Sequence, residues 1–282
     1  MAFSLAAIAD EISPNLDDAL AVMVEAGVTA AEIRSIGGKN VVTLDAEELR
    51  QAVATLRARG CTVSGVASPV GKSPLAQARE VEEERLRRAL DAAATFGTDR
   101  VRIFSYYPAK GTPPDALAEL GKEVQDRLAR LTEIAAAAGA TLLLENEVDL
   151  WGDVPERLRV LLAGVDSPRL RAAWDPDNFV RSGVTRPFTD GWHLMGAFVA
   201  CAHVKDCDAQ HHRCPAGEGV GQWPELMAAL GARGGVPLVL EPHMQHGGQF
   251  GGFSGPEAFR RALAGIRKLL AAQVVARHPD EG

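Results

Sequence analysis

The sequence predicts an α/β fold, a single (β/α)8 TIM barrel, and three observations lead to this prediction. Short apolar runs alternate with longer segments of helical period, and the unit recurs about every 30 to 40 residues. Eight such units can be counted along the chain. The apolar runs are continuous, as expected for parallel strands that are buried on both faces. A doubly wound open sheet is the alternative.

The predicted strands and helices follow one another regularly. The eight strands are SLAAIAD, VTAAEIR, CTVSGVA, TDRVRIF, ATLLLEN, LRAAWD, FVACAHV and PLVLE. Helices are predicted over about 16–26, 154–162, 188–195, 223–233 and 256–270, and Leu49, Val53 and Leu56 share one face of another. Four helices are expected to stop at a glycine that takes the left-handed conformation: Gly27, Gly60, Gly97 and Gly139.

The length allows more than one domain, but the organisation favours one. A chain of 282 residues is long enough for two domains of about 150 residues. Barrels of this type run to about 250 residues as a single domain, and no proline- or serine-rich linker interrupts the pattern. We therefore assign residues 1–272 to the barrel and residues 273–282 to a C-terminal tail.

Composition and charge exclude several classes of partner. The net charge of −7 and the pI near 5.6 argue against nucleic acid and anionic membranes, which select basic surfaces. Four cysteines without a CxxC pair indicate reduced thiols, and no apolar run approaches the roughly 20 residues of a membrane span. We expect a cytoplasmic protein that binds a small molecule or a metal, and homo-oligomer formation stays open.

Charged side chains stand at the ends of the last four predicted strands. Glu145, Asp175, His203 and Glu241 each follow an apolar run. The carboxyl ends of barrel strands converge on one face, where active sites form. Three carboxylates and one imidazole are suitable ligands for Mn²⁺, Mg²⁺, Co²⁺ or Zn²⁺. The sequence therefore predicts one divalent metal ion at this face.

Five motifs carry a family resemblance: LENEVDLW, WDPDN, HVKD, GEGVGQW and LEPH. In this order and spacing, the chain resembles the sugar isomerase/epimerase family of xylose-isomerase-like barrels over almost its whole length. The resemblance implies that Glu145, Asp175, His203 and Glu241 are the metal ligands. It also implies that Glu145 and Glu241 are the catalytic acid/base pair.

The chain departs from two branches of this superfamily. Ketose 3-epimerases carry a second histidine shortly after the strand-six aspartate, where this sequence has DPDN. That difference weakens a ketose 3-epimerase assignment and leaves the metal site intact. The endonuclease branch uses three zinc ions and many more histidines, whereas this chain has seven histidines and a negative net charge.

The expected chemistry is proton transfer next to a carbonyl, through a metal-stabilised enediolate. Return of the proton to the opposite face gives an epimer, and return to the adjacent carbon gives an isomer. The expected function is thus a sugar isomerase or epimerase that acts on a ketose or keto-polyol. Loss of a β-hydroxyl instead makes a dehydratase, and a non-catalytic sugar-binding barrel is a further alternative.

Further residues are candidates for contact with substrate. The six predicted substrate-binding residues are Lys205, His243, Glu147, Trp151, Glu32 and Arg102. A surface salt bridge or loop histidine is the competing interpretation for the charged ones. The aromatic residues Trp174, Phe179 and Tyr106 either wall the pocket or belong to the core.

Two other segments raise alternatives. The glycine-rich stretch 243–259 could bind phosphate on its backbone N–H groups or form a mobile lid. No cluster of Lys or Arg accompanies it, which favours an unphosphorylated sugar or polyol. A structural zinc site would need Cys207, His211, His212 and Cys214, but their spacing matches no common zinc motif.

Overall fold

The computed structural model describes residues 3–245 and 252–277, in which eight parallel strands close into a barrel. Each strand pairs with the next along the chain, and the last pairs with the first. The strands are β1 (Ser4–Ile8), β2 (Ala30–Ile33), β3 (Thr62–Ala67), β4 (Arg100–Ile103), β5 (Thr141–Glu145), β6 (Leu170–Trp174), β7 (Val199–Val204) and β8 (Pro237–Leu240). The predicted (β/α)8 fold is confirmed, and all eight predicted strands are present.

Nine α-helices surround the barrel within the described residues. They are α1 (Leu16–Glu25), α2 (Ala46–Ala58), α3 (Arg79–Phe96), α4 (Pro114–Ala137), α5 (Pro155–Val165), α6 (Pro176–Arg181), α7 (Pro187–Met195), α8 (Trp223–Ala232) and α9 (Gly255–Arg277). Gly97 caps α3 with a φ of 75°, as its place after the helix predicted. None of the described helices is both long and apolar enough to cross a bilayer.

The short helix α6 is absent from the sequence prediction. Its first turn is built from the DPDN motif, which stands where ketose 3-epimerases carry a second histidine. The side chain of Asp175 accepts a hydrogen bond from Asn178 N at 3.0 Å, and Pro176 occupies the first helical position. An N-cap aspartate followed by proline is a strong start signal, so local capping chemistry explains this element.

The last helix is longer than predicted. It runs through Arg277, whereas the periodic pattern predicted an end near Leu270. Three alanines, one glutamine and one arginine are among the seven added residues, 271–277, and these residue types have high helix propensity. The helix therefore continues past the predicted barrel boundary at residue 272. Residues 278–282 of the predicted tail lie outside the described residues.

The side chains of each strand point alternately into the barrel and towards the surrounding helices. Leu143, Ala173 and Cys201 form a small apolar cluster of their own inside the barrel. Leu144 and Trp174 belong instead to the large core between the barrel and the helices. Successive residues of a strand point to opposite faces, so a residue two positions after an inner one also faces inward. This parity directs the side chains at the strand ends into the barrel mouth.

Candidate metal centre

The carboxyl ends of β5 to β8 bring four buried side chains together. Glu145 ends β5, Asp175 follows β6, His203 lies in β7 and Glu241 follows β8. Each offers one ligand atom, and these atoms all lie within 4.8 Å of one another. The four residues that the sequence singled out as metal ligands are thus neighbours in space, and the set could hold one divalent cation.

His203 lies between the two glutamates that were predicted as the acid/base pair. Its Nδ1 is 3.0 Å from Glu145 Oε1 and 3.0 Å from Glu241 Oε2. Burial lowers the pKa of the imidazole, but the two carboxylates outweigh burial and hold that pKa well above its ordinary value. The nitrogen therefore faces the centre of the set, and the carboxylates on either side attract positive charge to that point.

Asp175 provides the clearest sign that a cation fits. Its Oδ1 accepts a hydrogen bond from Asn178 N, whereas its buried Oδ2 makes no hydrogen bond. Lys205 Nζ lies 2.7 Å from Oδ2 and forms an ion pair with it. Burial raises the pKa of Asp175 to about 7, although Lys205 lowers it. A buried carboxylate oxygen whose partner is a cation is suited to metal coordination.

Lys205 and Arg102, two predicted substrate contacts, form buried ion pairs with the ligand set. Lys205 Nζ also lies 3.4 Å from Glu241 Oε2. Arg102 Nη1 donates to Glu145 Oε2 at 3.0 Å, and its Nη2 donates to the carbonyl of Ala67 at 3.2 Å. Burial raises the pKa of Glu145, but His203 and Arg102 lower it to about 2. Lys205 and Arg102 thus balance part of the negative charge of the carboxylate ligands.

His243 lies beside Glu241 in a strained backbone conformation. Its φ is 48°, which few non-glycine residues adopt. The ring Nε2 is 3.0 Å from Glu11 Oε1 and 3.3 Å from Glu241 Oε1. The predicted substrate-contact residue is therefore next to the centre, and Glu11 fixes its ring.

Glu32 lies inside the barrel among the ligand residues. It is buried, and its Oε1 makes no hydrogen bond. Burial raises the pKa of this carboxyl, although His203 and Arg102 oppose the shift. The raised pKa favours the neutral form of Glu32, beside a site that already holds three carboxylates.

Glu147 and Trp151 are not members of the group of four side chains with metal-ligand spacing. Glu147 pairs with Lys72 at 2.5 Å near the surface. Trp151 packs against α4, where its Nε1 donates to the carbonyl of Leu117 at 2.7 Å. A Cβ at Gly121 would come within 2.4 Å of the indole, so this glycine makes room for the ring. The structure does not bring either residue to the centre.

The other aromatic candidates belong to the core. The rings of Trp174 and Phe179 meet edge to face with centroids 5.0 Å apart. Trp174 also contacts Trp192 of α7, at 5.9 Å between centroids. Tyr106 lies under the guanidinium of Arg127, 5.3 Å from the ring. Residue parity explains Trp174, because its neighbour Asp175 takes the inward-facing position.

Two asparagines that the sequence reading missed hold the ligands in place. Asn146 Nδ2 donates to the carbonyl of Asp175 at 2.7 Å, and Asp175 N donates back to Asn146 Oδ1 at 2.9 Å. Asn178 Nδ2 donates to the carbonyl of Asn146 at 2.9 Å and approaches Glu145 Oε1 at 3.4 Å. Asn146 directly follows a strand-end glutamate, which is the signal that could have identified it.

Arg34, Asp10 and Glu11 were also missed, although they follow β2 and β1. Arg34 Nε donates to Asp10 Oδ2 at 2.9 Å, and Nη2 lies 3.3 Å from Glu11 Oε1. Arg34 Nη1 reaches Glu241 Oε1 at 3.3 Å. The rule that identified the ends of strands five to eight would have found these residues at the ends of strands one and two.

The structure does not assemble the zinc alternative. Cys207 is buried, whereas the side chain of His212 is exposed and pairs with Asp208 at 3.1 Å. Across the described ranges, groups with metal-ligand spacing are confined to the four strand-end residues and to Glu11, Glu241 and His243. Cys207, His211, His212 and Cys214 therefore form no such group.

Much of the glycine-rich stretch that follows β8 lies outside the described residues, namely 246–251. Its two ends are described and meet in an antiparallel bridge between Gln245 and Phe253. The predicted phosphate-binding or lid role of this stretch therefore stays a prediction.

Solved structures with the same fold include enzymes of two kinds. A D-tagatose 3-epimerase-like protein superposes with a TM-score of 0.76 at 15% identity, over 96% of this chain and 98% of the other. The probable 3-DHS dehydratase AsbF, involved in petrobactin synthesis in Bacillus anthracis, has a TM-score of 0.72 at 17% identity, over 95% and 99%. At these identities the likeness concerns the fold.

A magnesium complex also occurs among these structures. It is a xylose isomerase-like TIM barrel protein from Mycobacterium smegmatis, with a TM-score of 0.68 at 15% identity over 97% of each chain. No curated protein matches the sequence. The family described as "Xylose isomerase-like TIM barrel" matches residues 20–269. This chain belongs to the xylose isomerase-like TIM barrel family.

Proposed function

We propose that this protein is a divalent-metal-dependent isomerase or epimerase of an unphosphorylated ketose or keto-polyol. The observation that carries the proposal is the placement of Glu145 and Glu241. They are buried, they come from strands that are not neighbours, and each lies 3.0 Å from His203 Nδ1. Two carboxylates therefore flank one point of the site, as transfer of a proton between two positions requires.

A divalent cation held by Glu145, Asp175, His203 and Glu241 would supply Lewis acidity toward the substrate's carbonyl oxygen. The donor set supports this assignment, because it offers three oxygens and one nitrogen, and Asp175 Oδ2 makes no hydrogen bond. Mn²⁺, Mg²⁺, Co²⁺ and Zn²⁺ all accept such ligands. The magnesium complex of the Mycobacterium smegmatis protein supports a hard cation of this kind.

The two glutamates divide the proton transfer between them. One glutamate, as the carboxylate, removes the proton from the carbon next to the carbonyl, which leaves an enediolate. The other glutamate, which must be protonated at the start of the cycle, returns a proton from its carboxyl group. Return to the opposite face of the same carbon gives an epimer. Return to the neighbouring carbon, together with transfer of the hydroxyl proton to the former carbonyl oxygen, gives an isomer. Arg102 and Asn178 approach Glu145 at 3.0 Å and 3.4 Å and hold it in place.

A dehydratase of a keto-polyol is the second candidate, and His243 favours it. Burial and Lys205 lower the pKa of His243, but Glu11 and Glu241 raise it above its ordinary value. A protonated imidazole beside Glu241 is a further acid that could protonate a departing β-hydroxyl. The fold likeness to the probable 3-DHS dehydratase supports keeping this candidate.

The decisive experiment measures proton exchange at carbon. The protein loaded with Mn²⁺ is incubated in D₂O with a panel of unphosphorylated ketoses and keto-polyols, and NMR follows deuterium uptake next to the carbonyl. Deuterated epimer or isomer supports the proposal, whereas loss of water identifies a dehydratase. A substrate that binds without exchange would indicate a sugar-binding barrel without turnover. Glu145→Gln loaded with the same metal is the matched control.

A further inference from the structure

A second group of ligand atoms lies directly beside the first. Glu11, Glu241 and His243 each offer one atom, and these atoms also lie within 4.8 Å of one another. Glu241 belongs to both groups, so its carboxylate stands between two neighbouring positions that each suit a cation. Shared carboxylates of this kind are common where two metal ions act as a pair.

The second position is already filled by Arg34. Its Nη1 lies 3.3 Å from Glu241 Oε1 and 3.5 Å from His243 Nε2, and its Nη2 lies 3.3 Å from Glu11 Oε1. These are the three residues of the second group. The guanidinium therefore contacts every side chain that a second metal ion would need.

The surroundings of Arg34 hold the guanidinium at this point. The side chain is buried, its Nε donates to Asp10 Oδ2 at 2.9 Å, and its Nη2 donates to the carbonyl of Gly252 at 2.9 Å. Ser35 Oγ donates to the same Asp10 oxygen at 2.7 Å and fixes that carboxylate. A planar guanidinium stays charged at every physiological pH, so the position always holds one positive charge.

We propose that Arg34 takes the place of a second metal ion and makes this a centre with a single exchangeable metal. A second divalent cation is excluded because Arg34 contacts all three side chains that would bind it. Repulsion from the guanidinium opposes the same cation at a separation of a few ångströms. Lys205, in contrast, contacts only two of the four residues of the first group, Asp175 and Glu241. The inference rests on the proposed function, since it takes the four strand-end residues as the first metal site.

As a consequence, Arg34 places a permanent positive charge beside one oxygen of Glu241. Oε1 faces Arg34, whereas Oε2 faces His203 Nδ1 in the first group. One glutamate is thus shared between a fixed organic cation and the proposed exchangeable one. Glu241 keeps a buried partner even when the metal has been removed.

The test counts metal ions per chain. Metal-free protein is titrated with Mn²⁺ by calorimetry, and the bound ions are located by anomalous diffraction. The wild-type chain should bind one Mn²⁺, at Glu145, Asp175, His203 and Glu241. Arg34→Met, which removes the charge and retains apolar bulk, should bind two. The second ion should lie between Glu11, Glu241 and His243.

Two control variants test whether a change in the number of bound Mn²⁺ ions is due to the second position. Arg34→Met combined with Glu11→Gln should return to one Mn²⁺, because the second position loses a ligand. Arg59→Met, which removes an exposed arginine paired with Asp17, should stay at one. The melting temperature of Arg34→Met should continue to rise with Mn²⁺ beyond one equivalent, whereas that of the wild type should not.

Either of two outcomes would overturn the inference. One is a folded Arg34→Met chain that binds a single Mn²⁺ at the first group. The other needs no variant, and therefore applies even if Arg34→Met does not fold: an anomalous peak between Glu11 and His243 in wild-type protein at saturating Mn²⁺. A wild-type chain without Mn²⁺ at the first group would instead refute the proposed function.

Discussion

Glu145 has three hydrogen-bonding neighbours at once, namely His203, Arg102 and Asn178. Each of them favours the ionised carboxylate, in accord with its pKa of about 2. Such a group is a weak base toward water. It becomes effective only when it is placed against a carbon acid whose conjugate base is itself stabilised.

We expect Glu145→Gln and Glu241→Gln each to lower kcat by about 10² to 10⁴, the scale of a positioned acid or base. Glutamine preserves the shape of the side chain but cannot take up the proton. For an epimerase, one variant should still exchange the substrate α-proton with D₂O from the face that the remaining carboxylate serves. NMR of deuterium uptake with metal content measured in parallel checks this. Wild-type rates in both metal-loaded variants would contradict the mechanism, and Lys205 and His243 would be tested next.

The affinity for the metal should depend on pH. Burial raises the pKa of Asp175 to about 7 against the effect of Lys205, and the pKa of His203 also lies above its ordinary value. Both groups must lose a proton before they bind a cation, so protons compete with the metal. The dissociation constant for Mn²⁺ should increase as the pH falls through 7, by about tenfold per pH unit for each proton displaced. Calorimetry at several pH values tests this, and a constant affinity from pH 6 to 8 would contradict it.

At the scale of residues, the sequence identified what lies at strand ends and missed what supports it. Glu145 and Glu241 could be found because a charge after an apolar run is visible in one dimension. The ion pair of Arg102 with Glu145 and that of Arg34 with Glu241 join distant segments, so no local pattern reports them. The position of Trp151 in a motif did not reveal that its ring packs against α4, and its predicted contact with substrate stays a prediction.

The elements around the site are joined by side chains as well as by the sheet. Asn146 extends the pairing of β5 and β6 by one step, because its amide exchanges two hydrogen bonds with the backbone of Asp175. The ends of the two strands are thereby fixed together. Glu145 and Asp175 keep their separation as a result.

Replacing Asn146 with Ala should reduce both stability and metal binding. It leaves the buried N–H of Asp175 without a partner, whereas the C=O still accepts a hydrogen bond from Phe179 N, and we expect a loss of about 1 to 3 kcal/mol. Chemical denaturation and Mn²⁺ calorimetry measure the two effects. Gln51→Ala, on the exposed side of α2, is the matched control and should change the free energy of unfolding by less than about 0.5 kcal/mol. An Asn146→Ala chain with normal stability and metal affinity would show that the amide bridge is dispensable.

Trp151→Phe should affect stability but not turnover. The indole joins the segment after β5 to α4 through its bond to the carbonyl of Leu117, and phenylalanine removes that bond. We expect a loss of about 1 to 2 kcal/mol in the free energy of unfolding. The value of kcat/KM should stay unchanged for any substrate found. A large increase in KM alone would restore the substrate-contact role that the motif suggested.

The order of the elements was predictable, and their ends were less so. Continuous apolar runs and terminal glycines sufficed for the eight strands, because burial on both faces leaves a strong pattern. The helix α6 has only six residues and no periodicity, so its presence depends on the Asp175 cap. The excess length of α9 arises from helix propensity, which a hydrophobic pattern does not register.

For the whole molecule, a bound metal should act as a source of stability. A ligand that binds only the folded chain stabilises it by about 2.7 kcal/mol at a hundred times its dissociation constant. Addition of Mn²⁺ to metal-free protein should therefore raise the melting temperature by several degrees in a thermal scan. Asp175→Ala should keep its fold and lose this increase. An equal increase in that variant would place the metal elsewhere.

The barrel as a whole was predicted because its strand pattern recurs eight times. The distribution of charge within it was not predictable. The sequence shows a net charge of −7, whereas the site pairs its buried carboxylates with Arg34, Arg102 and Lys205. Only folding to the closed barrel brings these three cations together. The prediction of an unphosphorylated substrate used the absence of Lys and Arg from the glycine-rich stretch 243–259, and it therefore did not include these three residues.

Arg34 and Glu241 are 207 residues apart in the chain. Arg102 and Glu145 form the corresponding contact between β4 and β5. If the chain were divided between these two strands, each seam between the half-barrels would be crossed by one arginine from the first half and one glutamate from the second. Buried pairs of this kind select a partner more than they add affinity. Two separately made halves would thus meet at the barrel mouth through a buried arginine–glutamate pair at each seam, with the arginine always from the first half.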